Sequence, residues 1–158
     1  GYICNYQERY RVHKLQLENF LPYRLNRAAA AASLQLSSIY RRKYGLTGPE
    51  WRTLSTLAQF GELTAKQIGA HSSMHKTKVS RAVGSLNTRR WLSRERDEAD
   101  RRLEKLNLTP RGLEAYKQLE PQMLGFEIEL LSRLTLAERK SLLHGMSILE
   151  KALGVTDD

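Results

Sequence analysis

The chain has 158 residues, and Lys plus Arg outnumber Asp plus Glu by 26 to 17, a formal net charge of +9. That length accommodates one domain, or one domain with helical arms, and the cationic excess favours a polyanionic partner. The single cysteine, Cys4, excludes an intramolecular disulfide and a multi-cysteine metal site. No apolar run approaches the roughly 18 residues of a membrane span, and the opening GYICNYQERYRVHK has no apolar signal region, so a cytoplasmic protein is expected.

Residues 1–16 are polar, dotted with aromatics and without clear period, and read as either a frayed arm or an extension of the first helix. From Leu17 to Tyr44 an apolar stripe (Leu17, Phe20, Leu21, Leu25, Ala28, Ala32, Leu36, Ile39, Tyr40) and five consecutive alanines predict a helix, ended by Gly45. Pro22 either starts a new segment of it or kinks it. Three later starts, Thr47–Glu50, Thr64–Gln67 and Thr135–Glu138, match the capping box, with Thr at the N-cap and Glu or Gln three residues on. The second helix is therefore expected over 49–60, burying Trp51, Leu54, Leu57 and Ala58, with Glu62-Leu63 as a very short strand after Gly61. A short third helix over 65–70 should pack Ala65, Ile68 and Gly69 under the next one. His71-Ser72-Ser73 makes the turn, with Ser73 as N-cap.

The fourth helix, in SMHKTKVSRAVGSLNTRRW, is amphipathic. Val79, Val83 and Leu86 form its inner stripe, while Lys76, Thr77, Lys78, Ser80 and Arg81 fill the other faces near its start. The period then changes, and two short runs flank DEADR, a hairpin tip. After Leu106-Asn107-Leu108, Thr109 should cap a fifth helix with Pro110 at its first position. Its stripe, Tyr116, Leu119, Met123, Phe126, Leu130 and Leu134, is interrupted by Pro121, which should bend it or split it in two. The last helix, 136–153, carries Leu142, Met146, Leu149 and Leu153 at near-heptad spacing. Such stripes exceed what the small central motif can cover, which argues for a symmetric dimer; packing of first, fifth and sixth helices within one chain is the alternative.

The fold class is thus mostly α with a small β-wing, a winged helix-turn-helix whose basic helix enters the DNA major groove while the hairpin reaches the adjacent minor groove. At this point the sequence resembles a known family. DRRLEKLNLTPRG, residues 100–112, is similar to the wing signature of the MarR family of bacterial transcription regulators: Asp-x-Arg, a strand, then Leu-Thr-x-x-Gly. KVSRAV, followed by Leu86, Trp91-Leu92 and Arg94, resembles that family's recognition helix and the entry to its wing. The likeness runs from about Leu17 to Leu153.

The resemblance implies a homodimer joined through its terminal helices, with a 17–46 dimerisation helix region, a 47–109 DNA-binding lobe and 110–158 C-terminal dimerisation helices. It implies a repressor on double-stranded DNA, released by a small effector of aromatic or phenolic type. The recognition helix should offer Ser73, His75, Lys76, Thr77, Lys78, Ser80 and Arg81 to phosphates and base edges. Arg101 and Arg102 belong to the wing, Arg102 matching the family's minor-groove arginine, with Asp100 orienting it. Two such units predict a pseudo-palindromic operator with half-sites about one turn, roughly 10 bp, apart. Tyr23, Arg24, Trp51 and Arg52 are the candidate effector contacts, as aromatic walls and guanidinium partners for a carboxylate.

Other chemistries find less support. The family's hydroperoxide-sensing branch carries a reactive cysteine where this chain has Pro22, and a tyrosine where it has Gly48; Cys4 lies upstream without a basic neighbour. His71 and His75 have the spacing of two ligands on one helix, but Ser72-Ser73 should break that helix and no third ligand is evident. No phosphate loop, nucleophile elbow or paired-carboxylate arrangement is present, so neither a cofactor nor catalysis is expected. The rival reading is a winged-helix protein–protein module that sets its basic face on an acidic partner.

Overall fold

The computed structural model describes residues 15–155. A 3-10 turn, Leu17–Asn19, precedes α1 (Leu21–Tyr44), followed by α2 (Gly48–Phe60), α3 (Ala65–Ser72), α4 (Lys76–Thr88), β1 (Leu92–Arg96), β2 (Glu104–Leu108), α5 (Pro110–Ser132) and α6 (Leu136–Leu153). Two units divide within α1, at Gln35 and Leu36. The first contributes the 3-10 turn and the opening turns of α1, where Leu17, Phe20 and Leu21 are exposed. Pro22 lies in the first turn of α1, so of the two expected outcomes it starts a helix rather than kinking one. Most of the arm expected over 1–16, with Cys4, lies outside the described residues.

The second unit holds the core. Leu46, Leu54, Ile68, Leu86, Leu106 and Leu119 are essentially fully buried and come from the loop before α2 and from α2, α3, α4, β2 and α5 in turn. Each such side chain contributes about 1.5–3 kcal/mol on burial. One side chain per element thus ties six segments together. The hairpin is antiparallel, from Leu92 opposite Leu108 to Arg96 opposite Glu104, and Leu63 bridges to Leu106 as a third, single-residue strand. That is the short strand expected at Glu62-Leu63.

Helix starts follow the predicted chemistry with one variation. Thr64 and Thr135 complete capping boxes with Gln67 and Glu138. Thr47 also caps α2, accepting from the Glu50 N–H at 3.3 Å, but Glu50 returns its carboxylate to the Thr47 hydroxyl (3.1 Å) instead of the backbone. Its other oxygen, Oε2, is buried without a hydrogen bond, 3.9 Å from Arg89 Nη2. The basic residue draws the carboxylate away from the box.

Four expectations need correcting. Helix α3 runs two residues beyond its predicted end, to Ser72. Ala65 faces solvent rather than packing under α4. Ser73 is not the N-cap of α4: it closes α3 in the left-handed conformation (φ 51°), its N–H bonded to the Gly69 carbonyl, and His75 takes the N-cap position without a side-chain bond. A serine here completes a tight turn in which the Met74 N–H also reaches Gly69 O at 3.1 Å. Finally, α5 is one helix of 23 residues with Pro121 inside it, not two end to end.

The junction after α4 explains the Leu-Thr-x-x-Gly signature. Arg90 turns the chain at φ 62°, with Trp91 N bonded to Leu86 O, the geometry in which glycine usually ends a helix. Thr109 caps α5 by accepting from Gly112 N (3.1 Å) and donates its hydroxyl to Arg90 O (2.7 Å), while its N–H bonds Trp91 O at 3.0 Å. Gly112 packs directly on that same carbonyl: a Cβ there would lie 2.0 Å from Trp91 O. No rotamer relieves an overlap with backbone.

The wing tip is built by carboxylates. Asp97 accepts from the N–H groups of Ala99 (2.8 Å) and Asp100 (3.0 Å), and its other oxygen meets Lys105 Nζ at 3.3 Å. Lys105 also meets Glu62 (3.5 Å), which accepts from Asn107 (2.9 Å). The backbone N–H bonds from Asp100 and Ala99, then Lys105, hold the Asp97 carboxyl below its ordinary value of 3.8.

Gly112→Ala should lower stability by about 2 kcal/mol or more, read as a fall in the urea midpoint at fixed protein concentration; an unchanged midpoint would mean that the helix start moves freely. Because Asp97 titrates lower folded than unfolded, its contribution to wing order is full above about pH 4 and is lost as pH falls through the lowered native value. Amide exchange at Ala99 and Asp100, compared between wild type and Asp97→Asn, should show this acid-dependent loosening in the wild type alone.

Candidate nucleic-acid interface

Helix α4 divides cleanly into two faces. Val79, Ala82, Val83 and Leu86 are buried against the core. His75, Lys76, Thr77, Lys78, Ser80 and Arg81, and Ser73 in the preceding turn, are all exposed. None of these seven side chains forms a hydrogen bond or ion pair among the described residues. They form one open polar surface of hydroxyls, imidazole and cations, with nothing inside the lobe competing for their donors.

The wing presents a second such surface. Asp97 N bonds Leu103 O (2.9 Å) and Leu103 N bonds Asp100 O (3.0 Å), closing a four-residue turn with Arg101 and Arg102 at its two central positions. Both arginines are exposed. Asp100 does contact Arg102, but through the backbone: its Oδ1 accepts from Arg102 N at 3.0 Å. The aspartate shapes the turn that carries the arginine and leaves the guanidinium free to reach outward. Asp97 was missed as a second organiser of the same tip, although an Asp two residues before a small residue in a hairpin loop is a recognisable turn former.

Arg94 and Arg89 have structural partners instead. Arg94 donates from Nε (3.1 Å) and Nη2 (2.7 Å) to one oxygen of Glu104, diagonal to it across the hairpin. Arg89 donates to Tyr44 O at 2.9 Å and lies 5.1 Å over the Trp91 ring. The likeness of Arg94 to a wing-entry residue therefore corresponds to holding the hairpin together.

The candidate effector residues lie on two elements, α1 and α2. Tyr23 and Arg24 sit in the first turn of α1, and Arg27 lies over the Tyr23 ring at 5.8 Å. Trp51 stacks on Tyr40 (6.1 Å) and on Tyr116 (6.0 Å), so its indole is engaged in packing, while Arg52 is exposed. Burial, with Glu120 beside it, raises the Tyr116 phenol above its ordinary value of 10.0. His71 closes α3 and stacks on Phe60 at 4.1 Å; with His75 on the far side of the turn, the two histidines share no helix. Among the described residues, no group of three His, Cys, Asp or Glu is placed to hold a metal ion, and no helix is long and apolar enough to cross a membrane.

Comparison with known proteins agrees with this geometry. Residues 44–103, from the end of α1 to the wing tip, match the model of the MarR family. The chain is 28% identical over 101 residues to YwoH, an HTH-type transcriptional regulator of Bacillus subtilis, covering 64% of this chain and 73% of that protein. Among solved structures it superposes on Sco3205, a MarR family regulator of Streptomyces coelicolor in complex with DNA, with a TM-score of 0.75 at 25% identity, covering 88% of this chain and 89% of that one. PcaV, a regulator from the same organism in complex with its natural ligand, gives a TM-score of 0.71 at 20% identity, covering 88% and 97%. The exposed recognition surface, the wing and these matches agree: residues 44–103 match the MarR family model, and the chain shares the winged-helix fold of that family's solved regulators.

Proposed function

We propose that this regulator is a cytoplasmic repressor that binds a pseudo-palindromic operator as a homodimer and leaves it when a small aromatic or phenolic effector binds. One observation carries the DNA reading: α4 keeps its apolar face in the core, while it and the turn before it hold seven unpartnered polar side chains outward, beside a wing turn whose two exposed arginines have no ion-pair partner among the described residues. Lys76, Lys78 and Arg81 suit phosphates and guanine edges, and His75, Thr77, Ser80 and Ser73 suit phosphates or a thymine methyl. Arg102, with Arg101 beside it, suits a narrow A·T-rich minor groove. The DNA-bound state of Sco3205, a neighbour of the same fold, supports this assignment.

The dimer reading rests on α6. None of its 18 residues is buried among the described residues, and Leu142, Leu143, Met146 and Leu153 are 46, 55, 41 and 66% exposed. On α5, Leu124 and Ile128 are likewise exposed. A second copy is the partner that such self-matching stripes suit, through the proposed 17–46 and 110–158 regions. The effector reading leans on PcaV, solved with its natural ligand. Arg52 is the exposed cation beside the Trp51 stack, and Tyr23 and Arg24 keep the roles proposed for them. The effector acts by favouring a dimer in which the recognition helices no longer match consecutive major grooves.

Selection of short duplexes from a random pool should enrich a palindrome. Arg102→Ala should weaken binding to it by about 1–3 kcal/mol and relax preference at the A·T-rich flanks. Weak binding that is blind to sequence and indifferent to Arg102→Ala would instead favour the basic face meeting an acidic protein. Sedimentation should give twice the chain mass, and Met146→Glu should shift it toward the monomer, since a carboxylate would be buried in an aliphatic interface.

A further inference from the structure

The cations of the lobe fall into two sets. Arg89, Arg94 and Lys105 are paired with carboxylates at 3.9, 2.7 and 3.3 Å. The others, among them Lys66, Lys76, Arg96, Arg101 and Arg102, form no ion pair or side-chain hydrogen bond among the described residues. These five are not scattered. A cleft of about 460 Å³ between the first turn of α3 and the wing is lined by Lys66, Arg96, Arg101 and Arg102. Its one carboxylate, Glu104, accepts from Arg94 Nε and Nη2 at Oε2. A groove of about 510 Å³ runs from the same turn of α3 toward the start of α4, walled by Gly69, Ala70, Met74 and Val79, with Lys66 and Lys76 at its edge. Both depressions include Ala65 and Lys66, so they join over that turn. The result is a track from wing to recognition helix, cationic at both ends and apolar between.

Duplex geometry says what lies along such a track. A minor groove and the neighbouring major groove are separated by a single sugar–phosphate strand. A wing in one and α4 in the other leave that strand facing whatever part of the lobe lies between them, here the first turn of α3. We propose that the track seats one DNA strand: a phosphate in the cleft between Lys66 and the wing arginines, the adjoining sugar against the apolar groove, and a neighbouring phosphate at Lys76. The proposal rests on the DNA-binding reading and adds Lys66 and Arg96 to it. An alternation of charged and apolar wall fits a polymer that alternates phosphate with sugar, whereas a free anion would use the cleft alone. As backbone contacts, Lys66 and Arg96 set affinity and register on the duplex and read no base.

The test uses the full chain and the duplex that it selects, with Lys66→Ala, Arg96→Ala and, as a control on α5, Lys117→Ala. Lys66→Ala and Arg96→Ala should each reduce the slope of log affinity against log salt by about 0.9, equivalent to roughly three- to fourfold less loss between 50 and 200 mM salt. Both should weaken all sequences alike, leave the selected palindrome unchanged and keep the wild-type circular dichroism, and Lys117→Ala should do none of this. A methylphosphonate at the phosphate bordering the wing should weaken the wild type more than it weakens Lys66→Ala. Wild-type slopes in Lys66→Ala and Arg96→Ala, with the palindrome still selected by the wild type, would overturn the track alone. Saturable binding of inorganic phosphate that Lys66→Ala abolishes, beside unchanged DNA slopes, would overturn it in favour of a free-anion site. Failure of the wild type to select any sequence would remove the DNA reading and the track with it.

Discussion

The carbonyl of Trp91 is where the lobe is locked together. It accepts from Thr109 N and lies against Gly112 with no room for a side chain, while Trp91 N bonds back to Leu86 O at the end of α4. The indole above meets Tyr44 edge-on at 5.1 Å and the Arg89 guanidinium at the same distance, and Arg89 continues to the Tyr44 carbonyl. One residue therefore touches the end of the recognition helix, the root of the wing, the start of α5 and the last turn of α1. Most of these contacts involve backbone, which has no rotamers through which to yield. A shift at the start of α5 or at the end of α1 consequently reaches α4 as a rigid displacement.

The wing is held in two ways that differ in strength. Its root is core: Leu106 is 1% exposed and bridges to Leu63 on both its N–H and C=O. Its tip is held by exposed ion pairs, each of the kind that contributes roughly 0–1 kcal/mol, and by the Asx bonds of Asp97. A rigid root with a lightly restrained turn lets two arginines be aimed without being frozen. The sorting of cations serves the same end, since carboxylates occupy Arg94 and Lys105 and leave Arg101 and Arg102 to the solvent side.

Much of this was legible because it is local. Capping threonines, the inner stripe of α4, the hairpin and the last helix are written within windows of a few residues, and they fall where periodicity and cap chemistry place them. What escaped depends on contacts between distant segments. Ser73 looked like an N-cap because serine usually is one; its left-handed turn is set by the packing of Gly69 against Met74. Arg90 at positive φ gave no sign, because glycine is the residue that announces such a turn. Asp100 was expected to grip a side chain and grips a backbone N–H instead. Nothing local singles out Lys66, and only the fold puts it in both the cleft beside the wing and the groove toward α4.

Helix α6 carries a further consequence. In proteins most helical stability comes from packing of an apolar face rather than from propensity, and no residue of this helix is fully buried among the described residues. Its capping box and the left-handed Gly154 define where the helix begins and ends, but a fixed length is not a source of cohesion. In the proposed dimer the helicity of this segment is borrowed from the partner that covers it, and folding and assembly become one event at the carboxyl end. The amount of this protein in the cell would then set how much of it has a finished shape.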